Sequence, residues 1–309
     1  MYSFKKIMIA VDLSEMDKYL LTYINGLCQL IKPTKVYILN IQKNLDLDAE
    51  EKTLLGYANN LPVDEYVQSK INSNLESYFT YKNQVEVEIE VVEGKPAEEV
   101  LRWADIKKTD LLVMGRKASL TGQGIMPQEI ASKVKCSILL VPENVAKFSL
   151  TNVFVPINFN EETKLALEEA LYIQKETSQV LDINCHYVFE LPLGHEKSGK
   201  TDQEFADILN INAAKKFKKL KLDLGSEASQ LDYSTELLKD GNIAKALNVK
   251  AIELKSDLII MGAKCKTLAA QLFLGNTTKK MIINDSSIPL LIIKEKNETF
   301  GFWDFFNKL

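Results

Sequence analysis

The sequence predicts an α/β protein made of two tandem domains, each a five-stranded, mostly parallel open sheet with helices on both faces. Two observations carry that prediction. Short, β-branched apolar runs alternate with longer helical stretches along the whole chain, the pattern of parallel strands joined by helical crossovers. The pattern also runs twice. KIMIAVDLSE at 6–15 is echoed by NVFVPINFNE at 152–161, DLLVMG at 110–115 by DLIIMG at 257–262, and CSILLVPE at 136–143 by IPLLIIKE at 288–295. The offsets are 146, 147 and 152 residues in one unbroken order, as a duplicated domain requires. The domains read as 1–146 and 150–296, followed by an aromatic tail over 297–309.

In the first copy, 6–11 and 35–41 are strands because they are short, apolar and β-branched. Ser14 is placed to cap a helix over 15–31. Residues 51–79 read as helical with a break at 60–62, and 85–92 as a strand with Glu86, Glu88 and Glu90 on one face. Pro96 opens a helix to 107, proline being suited to the first helical turn. A strand at 111–114, a short helix at 128–134 and a strand at 138–141 complete the copy. The second copy repeats the order, with strands at 153–157, 181–188, 230–233, 258–261 and 290–293. Its helices fall at 161–176, 202–222, 243–254 and 276–284.

Bulk properties narrow the function classes. A chain of 309 residues with 46% apolar and 26% charged residues suits two ordinary globular domains. A net charge of −4 leaves no basic footprint for nucleic acid. No apolar run reaches the length of a membrane span, and the run at 7–11 is cut by Asp12 before it could serve as an export signal. A cytoplasmic protein with no membrane partner is expected. Cys28, Cys136, Cys185 and Cys265 share no paired spacing, so neither a disulfide framework nor a metal site is indicated.

Ligands of open parallel sheets bind beyond the carboxyl ends of strands, where strand order reverses. That places Asp12 and Gly115 of the first copy, and Asn158 and Gly262 of the second, at the candidate sites. In the second copy the strand at 258–261 reads as stopping in a turn at Gly262, with a helix opening at Gly275-Asn276-Thr277-Thr278. Unpaired amides and the positive end of the dipole make such a helix start an anion site.

VDLSE after the first strand and DLIIMG before a glycine-bearing loop resemble the universal stress protein family. The resemblance covers all but the last dozen or so residues, as two tandem family domains. It implies an adenine nucleotide α-hydrolase-like fold and a non-enzymatic stress-response module, in a family divided between ATP binders and non-binders. Binders carry G-x2-G-x9-G-[ST] after the fourth strand and an aspartate at the end of the first. Glycines there admit phosphates to backbone amides, and the carboxylate accepts from ribose hydroxyls. The resemblance further implies that the final strands, 138–141 and 290–293, meet in an intrachain pseudo-dimer, and it allows a further homo-dimer.

Carried over to the second copy, Gly262 matches the first glycine, Cys265 stands at the second, Gly275 matches the third, and Asn276 replaces the hydroxyl residue. Asn158 replaces the aspartate. An ATP–magnesium ligand would lie against Pro156, Ile157, Asn158 and Met261, with its phosphates toward Gly262, Cys265, Gly275, Asn276 and Thr277. The first copy keeps Asp12 and Gly115 but has Ala118 at the second glycine. It is also five residues shorter between Gly115 and Leu139 than the second copy is between Gly262 and Leu291, and Pro127 and Glu129 sit near its helix start. Its site reads as vestigial.

Rival motifs remain. GHEKSGKT at 194–201 fits G-x4-G-K-[ST], which would make Lys200 and Thr201 phosphate and magnesium ligands of a nucleotide hydrolase. The plainer reading is that Ser198 or Thr201 caps the helix from 202. His186 beside Cys185 would face the opposite side of its strand, so the pair cannot chelate one ion, and His195 reads as a surface loop residue. No nucleophile–base pair is indicated, so no catalytic residue is assigned. Cys265 could act as a redox-sensitive thiol among loop amides, against the simpler reading of a substitution. The tail, with Phe302, Trp303, Phe305 and Phe306, reads as self-docking. A nucleotide-independent interaction protein, with both sites relics, stays open as the main alternative.

Overall fold

The computed structural model describes residues 4–57, 61–116, 125–143, 145, 148–177, 180–238, 241–263, 274–284 and 286–295. The first copy runs β1 (Lys6–Val11), α1 (Met16–Ile31), β2 (Lys35–Gln42), α2 (Ala49–Leu54), α3 (Val63–Tyr78), β3 (Glu86–Glu93), α4 (Pro96–Ile106), β4 (Leu111–Arg116), α5 (Ile125–Lys133) and β5 (Ser137–Pro142). The second runs β6 (Asn152–Pro156), α6 (Glu161–Thr177), β7 (Asp182–Phe189), α7 (Asp202–Leu224), β8 (Asp232–Leu237), α8 (Ile243–Glu253), β9 (Leu258–Ala263), α9 (Asn276–Ile283) and β10 (Leu290–Lys294). All ten strands form one sheet in the order β3-β2-β1-β4-β5-β10-β9-β6-β7-β8. Neighbours are parallel except β5 and β10, which meet antiparallel with Leu290 opposite Leu140 and Ile292 opposite Ile138.

The two-residue period of each strand deals its side chains to two cores that both span the seam. Ile7, Ile9, Leu111, Val113, Leu139, Val153, Val155 and Leu291 pack with α1, α3, α6 and α7 on one face. Met8, Leu112, Met114, Ile138, Leu140, Phe154, Ile259 and Leu290 pack with α4, α5, α8 and α9 on the other. Two elements differ from the sequence reading. Gly262 lies inside β9, opposite Ile293, rather than in a turn. The strand expected at 230–233 runs over 232–237. Ser14 makes the capping contact expected of it: Glu15 is already helical at φ −56°, ψ −19°, and Ser14 Oγ accepts the Met16 N–H at 3.3 Å.

Matched carboxylates tie the fourth strand of each copy to its first. Asp110 accepts from the Lys5 and Lys6 amides at 3.0 and 2.8 Å, and Asp257 from the Thr151 and Asn152 amides at 2.9 Å each. On the outer β3 strand, Glu86 and Glu88 bind Lys35, each at 2.7 Å, while Lys107 binds Glu88 and Glu90. The Lys107 and then the Lys35 hydrogen bonds pull the Glu88 pKa down to about 2. A depressed carboxylate stabilises the fold above its unfolded pKa and loses that contribution as pH falls through its folded one. The difference in thermal midpoint between wild type and Glu88→Gln is therefore expected to shrink as pH drops from 4.5 toward about 2; a constant difference across that window would contradict it.

The seam also carries two buried cations. Arg116, 7% exposed, donates to the carbonyls of Met281 (3.2 Å), Ser286 (2.8 Å) and Ile288 (2.9 Å). Lys294, 1% exposed, donates to Ala131 O (2.6 Å) and Val134 O. Each copy thus sends a cation to carbonyls at and just beyond the C-terminal end of the other copy's last helix, where the dipole favours positive charge. The two cations occupy opposite sides of equivalent ladders: Arg116 faces Pro142, and Lys294 faces Ala263.

Candidate functional site

In each copy the strand order reverses at the first strand, between β1 and β4 and between β6 and β9. The four residues expected at these reversals are brought there. Val11 ends β1 just before Asp12, and Gly115 is the second-to-last residue of β4; Pro156 ends β6 just before Ile157 and Asn158, and Met261 and Gly262 lie near the end of β9. The second mouth opens deeper: β6 and β9 pair only at Val153↔Leu258 and Phe154↔Ile259, whereas β1 and β4 pair from Ile7↔Leu111 to Ala10↔Met114.

The loops after the first strands share one construction. Leu13 and Phe159 both hold positive φ, 60° and 61°, a costly conformation for bulky side chains that persists when its surroundings enforce it. In the first copy the enforcing group is Asp17, 2% exposed, whose carboxylate takes the amides of Asp12 (3.2 Å) and Leu13 (2.9 Å). In the second, Thr163 does the work: its Oγ1 accepts from Asn158 N–H at 3.0 Å and donates to Asn158 Oδ1 at 2.6 Å. Asn160 N–H also donates to Asn158 Oδ1, at 3.3 Å. The carboxamide oxygen of Asn158 is thus held by its own loop, and its Nδ2 group takes no part in these bonds. Neither Asp17 nor Thr163 was singled out in the sequence. Their shared place five residues after the site residue was the available signal.

The two strand glycines serve packing. A Cβ on Gly262 would lie 2.0 Å from Glu162 O, in the first turn of α6, and one on Gly115 would lie 2.5 Å from Met16 Cγ. These glycines let the helix after the first strand cross the fourth, a role that the phosphate-loop reading did not foresee. Gly275 is different. It precedes α9 at φ −57°, ψ 153°, is exposed, makes no side-chain cap, and an added Cβ would meet none of the described residues within 4 Å. Asn276 is exposed and Thr277 half-buried in the first turn of α9. Cys265 and Ala118, with the loops that carry them, and the tail at 297–309 lie outside the described residues.

An aromatic cluster beside the second mouth escaped the sequence reading. Phe159 meets the Tyr187 ring edge-on at 4.9 Å, Tyr187 stacks with Phe189 at 5.7 Å, and Lys216 lies 5.8 Å from the Phe159 ring. The alternation of Tyr187 and Phe189 at the end of a strand was the cue.

Rival residues resolve into structural roles. His186 is buried, with Nδ1 2.8 Å from Ser234 Oγ and Nε2 3.3 Å from Glu236 Oε2. Burial lowers its pKa against the opposing Glu236 hydrogen bond. Cys185 packs in the opposite core, where burial pushes its thiol up to about 12. His195 lies half-buried in its surface loop, its side chain 12% exposed, with Nε2 2.7 Å from Asp202 Oδ1 and its ring edge-on to Phe205. Thr201 caps α7 in a reciprocal box with Glu204, and Lys200 is exposed. Among the described residues no His, Cys, Asp and Glu group could hold a metal ion, and no helix is long and apolar enough to cross a membrane.

The model of the Universal stress protein family matches this chain twice, over residues 3–142 and 150–294. The chain belongs to the universal stress protein family. Universal stress protein MJ0577 of Methanocaldococcus jannaschii is 26% identical over 155 residues, covering 47% of this chain and 95% of that protein. Two solved structures are similar across both copies. A universal stress protein from Archaeoglobus fulgidus superposes with a TM-score of 0.61 at 17% identity, covering 94% of this chain and 98% of its own. A putative universal stress protein from Pseudomonas aeruginosa gives a TM-score of 0.63 at 11% identity, covering 94% and 93%. At these identities the likeness shows the fold alone.

Proposed function

We propose that this universal stress protein binds an adenine nucleotide, ATP with magnesium, in its second copy and acts as a non-enzymatic, cytoplasmic stress-response module. Gly275 carries the reading. Glycine ahead of a helix costs conformational entropy, yet among the described residues nothing within 4 Å of its Cβ position asks for it, and its φ is ordinary. A ligand pressed against that backbone would ask for it. The adjoining amides of Asn276 and Thr277 open α9 without a side-chain cap on Gly275, which suits a phosphate. Asn158, with its oxygen committed to Thr163 and Asn160, would offer Nδ2 to ribose hydroxyls. Pro156, Ile157 and Met261 would form the apolar wall.

The first copy is taken as a relic: its last helix starts with Pro127 in the first turn, and Glu129 is held by Lys133 at 2.6 Å. The two copies then act as an intrachain pseudo-dimer, a reading supported by the β5–β10 pairing. Native mass spectrometry of freshly purified protein is expected to show one nucleotide per chain, or its uptake from added ATP. Failure to take up nucleotide at millimolar ATP would leave the alternative, an interaction module that needs no nucleotide. Uptake or turnover lost on Lys200→Ala would move the site to the Gly194–Thr201 stretch.

A further inference from the structure

α7 joins the two strands at one end of the sheet, β7 and β8, and packs on α6, on β8 and on the short helical turn Ser226–Gln230. Of its 23 residues only Ala206, Ala213 and Phe217 are buried, so a narrow side of the helix faces the core. At about 100° per residue, the opposite side presents Ile208, Ile211, Lys215, Lys218, Lys219 and Leu222. All six are exposed, with Ile208 at 38%, Ile211 at 56% and Leu222 at 74%. The repeat supplies a control. α3 is the equivalent helix of the first copy, leading into β3, and it buries Val63, Val67, Ile71 and Leu75. It leaves no large apolar side chain exposed, and it carries one lysine against three acids.

Charge on α7 is sorted along the helix. From Ile208 to Leu222 there are five lysines and no acid. Lys221 donates to the carbonyls of Ser229 and Leu231, and Lys216 lies beside the Phe159 ring. Lys215, Lys218 and Lys219 make no ion pair among the described residues. The acids around them are committed or turned aside. Glu204 closes the Thr201 cap, Asp207 accepts from Gln203 at 2.9 Å, and Glu227 holds Lys175 at 3.3 Å; Asp223 lies about 100° round the helix from Leu222. Lysines toward a helix C-terminus are favoured by the dipole. That accounts for the charge, but not for three aliphatic side chains left in water on the same stripe.

The stripe stands out from a helix rather than lining a groove, and it runs about 21 Å from Ile208 to Leu222, which suits a flat partner. Unpaired cations call for an anionic partner, and aliphatic tips for one with an apolar layer just beneath its charges. We propose that this stripe seats the protein peripherally on an anionic phospholipid surface, with Ile208, Ile211 and Leu222 at the acyl boundary and the three lysines among headgroup phosphates. A second copy would set the same lysines against each other.

The test is co-sedimentation of the full chain with vesicles of phosphatidylcholine and phosphatidylglycerol in equal amounts, beside vesicles of phosphatidylcholine alone. Binding to the anionic vesicles only is expected, weakening as salt is raised. Replacing Lys215 and Lys219 together by Glu should weaken it by about tenfold or more. Replacing Ile211 and Leu222 together by Ser should weaken it by about tenfold. All four side chains are exposed, so the thermal midpoints of both variants should match wild type. No sedimentation with anionic vesicles, or sedimentation that either pair of substitutions leaves unchanged, would overturn the proposal. So would release from the vesicles by poly-glutamate at equal charge, since the stripe would then belong to an acidic protein surface.

Discussion

Gly262→Ala is expected to lower stability by about 3 kcal/mol or more, while Gly115→Ala costs about 1–2 kcal/mol. The two glycines are repeat equivalents, so sequence alone would score them alike. What differs is the obstacle. The added Cβ at Gly262 meets backbone, 2.0 Å from Glu162 O and 2.7 Å from its carbonyl carbon, and backbone cannot rotate away. To make room, α6 would have to lift from β9. At Gly115 the obstacle is the Met16 side chain, with Cγ at 2.5 Å, and methionine can change rotamer. Denaturant midpoints of the two variants separate these cases. Equal losses would mean that α6 does not cross β9 this closely.

Arg116→Ala is expected to cost about 3–5 kcal/mol, because buried carbonyls left without a donor cost about 1–3 kcal/mol each and the truncation adds a cavity. Three carbonyls are at stake, those of Met281, Ser286 and Ile288, all in the other copy. Lys294→Met should cost less, since it keeps the packed stem that Arg116→Ala removes, and among the described residues the carbonyls it frees are those of Ala131 and Val134. Loss at Arg116 should also appear in the second copy, as faster amide exchange at the end of α9. A variant with an unchanged midpoint would show that the cation is not committed across the seam.

How much of this was legible depended on what each element touches. The central strands were plain in sequence because both faces are buried, so 111–114 and 258–261 stand out as unbroken apolar runs. β8 was read short because DYSTEL, on an outer edge, is partly exposed along its length and carries few apolar residues. The frame of the candidate site, a strand end facing a helix start at the order reversal, followed from the repeat. Its working parts did not. Gly262 looked like a loop glycine because the demand on it comes from α6, about a hundred residues earlier in the chain. Arg116 and Lys294 end apolar strands, where a cation ordinarily marks the return to solvent. Their burial depends on helix ends supplied by the other copy. Asn158 reads in the sequence as the replacement for the aspartate, but which of its atoms its own loop holds is a matter of the Thr163 hydroxyl.

The central claim is that the mouth between β6 and β9 holds an adenine nucleotide against the start of α9. The most direct test is a calorimetric titration of ATP with magnesium into wild type and Gly275→Glu in parallel. Because a Cβ at Gly275 would meet no described residue within 4 Å, the variant should fold with an unchanged thermal midpoint. The account predicts saturable binding heat for wild type and none for Gly275→Glu. Equal heats from the two proteins, or none from wild type at millimolar ATP, would contradict it.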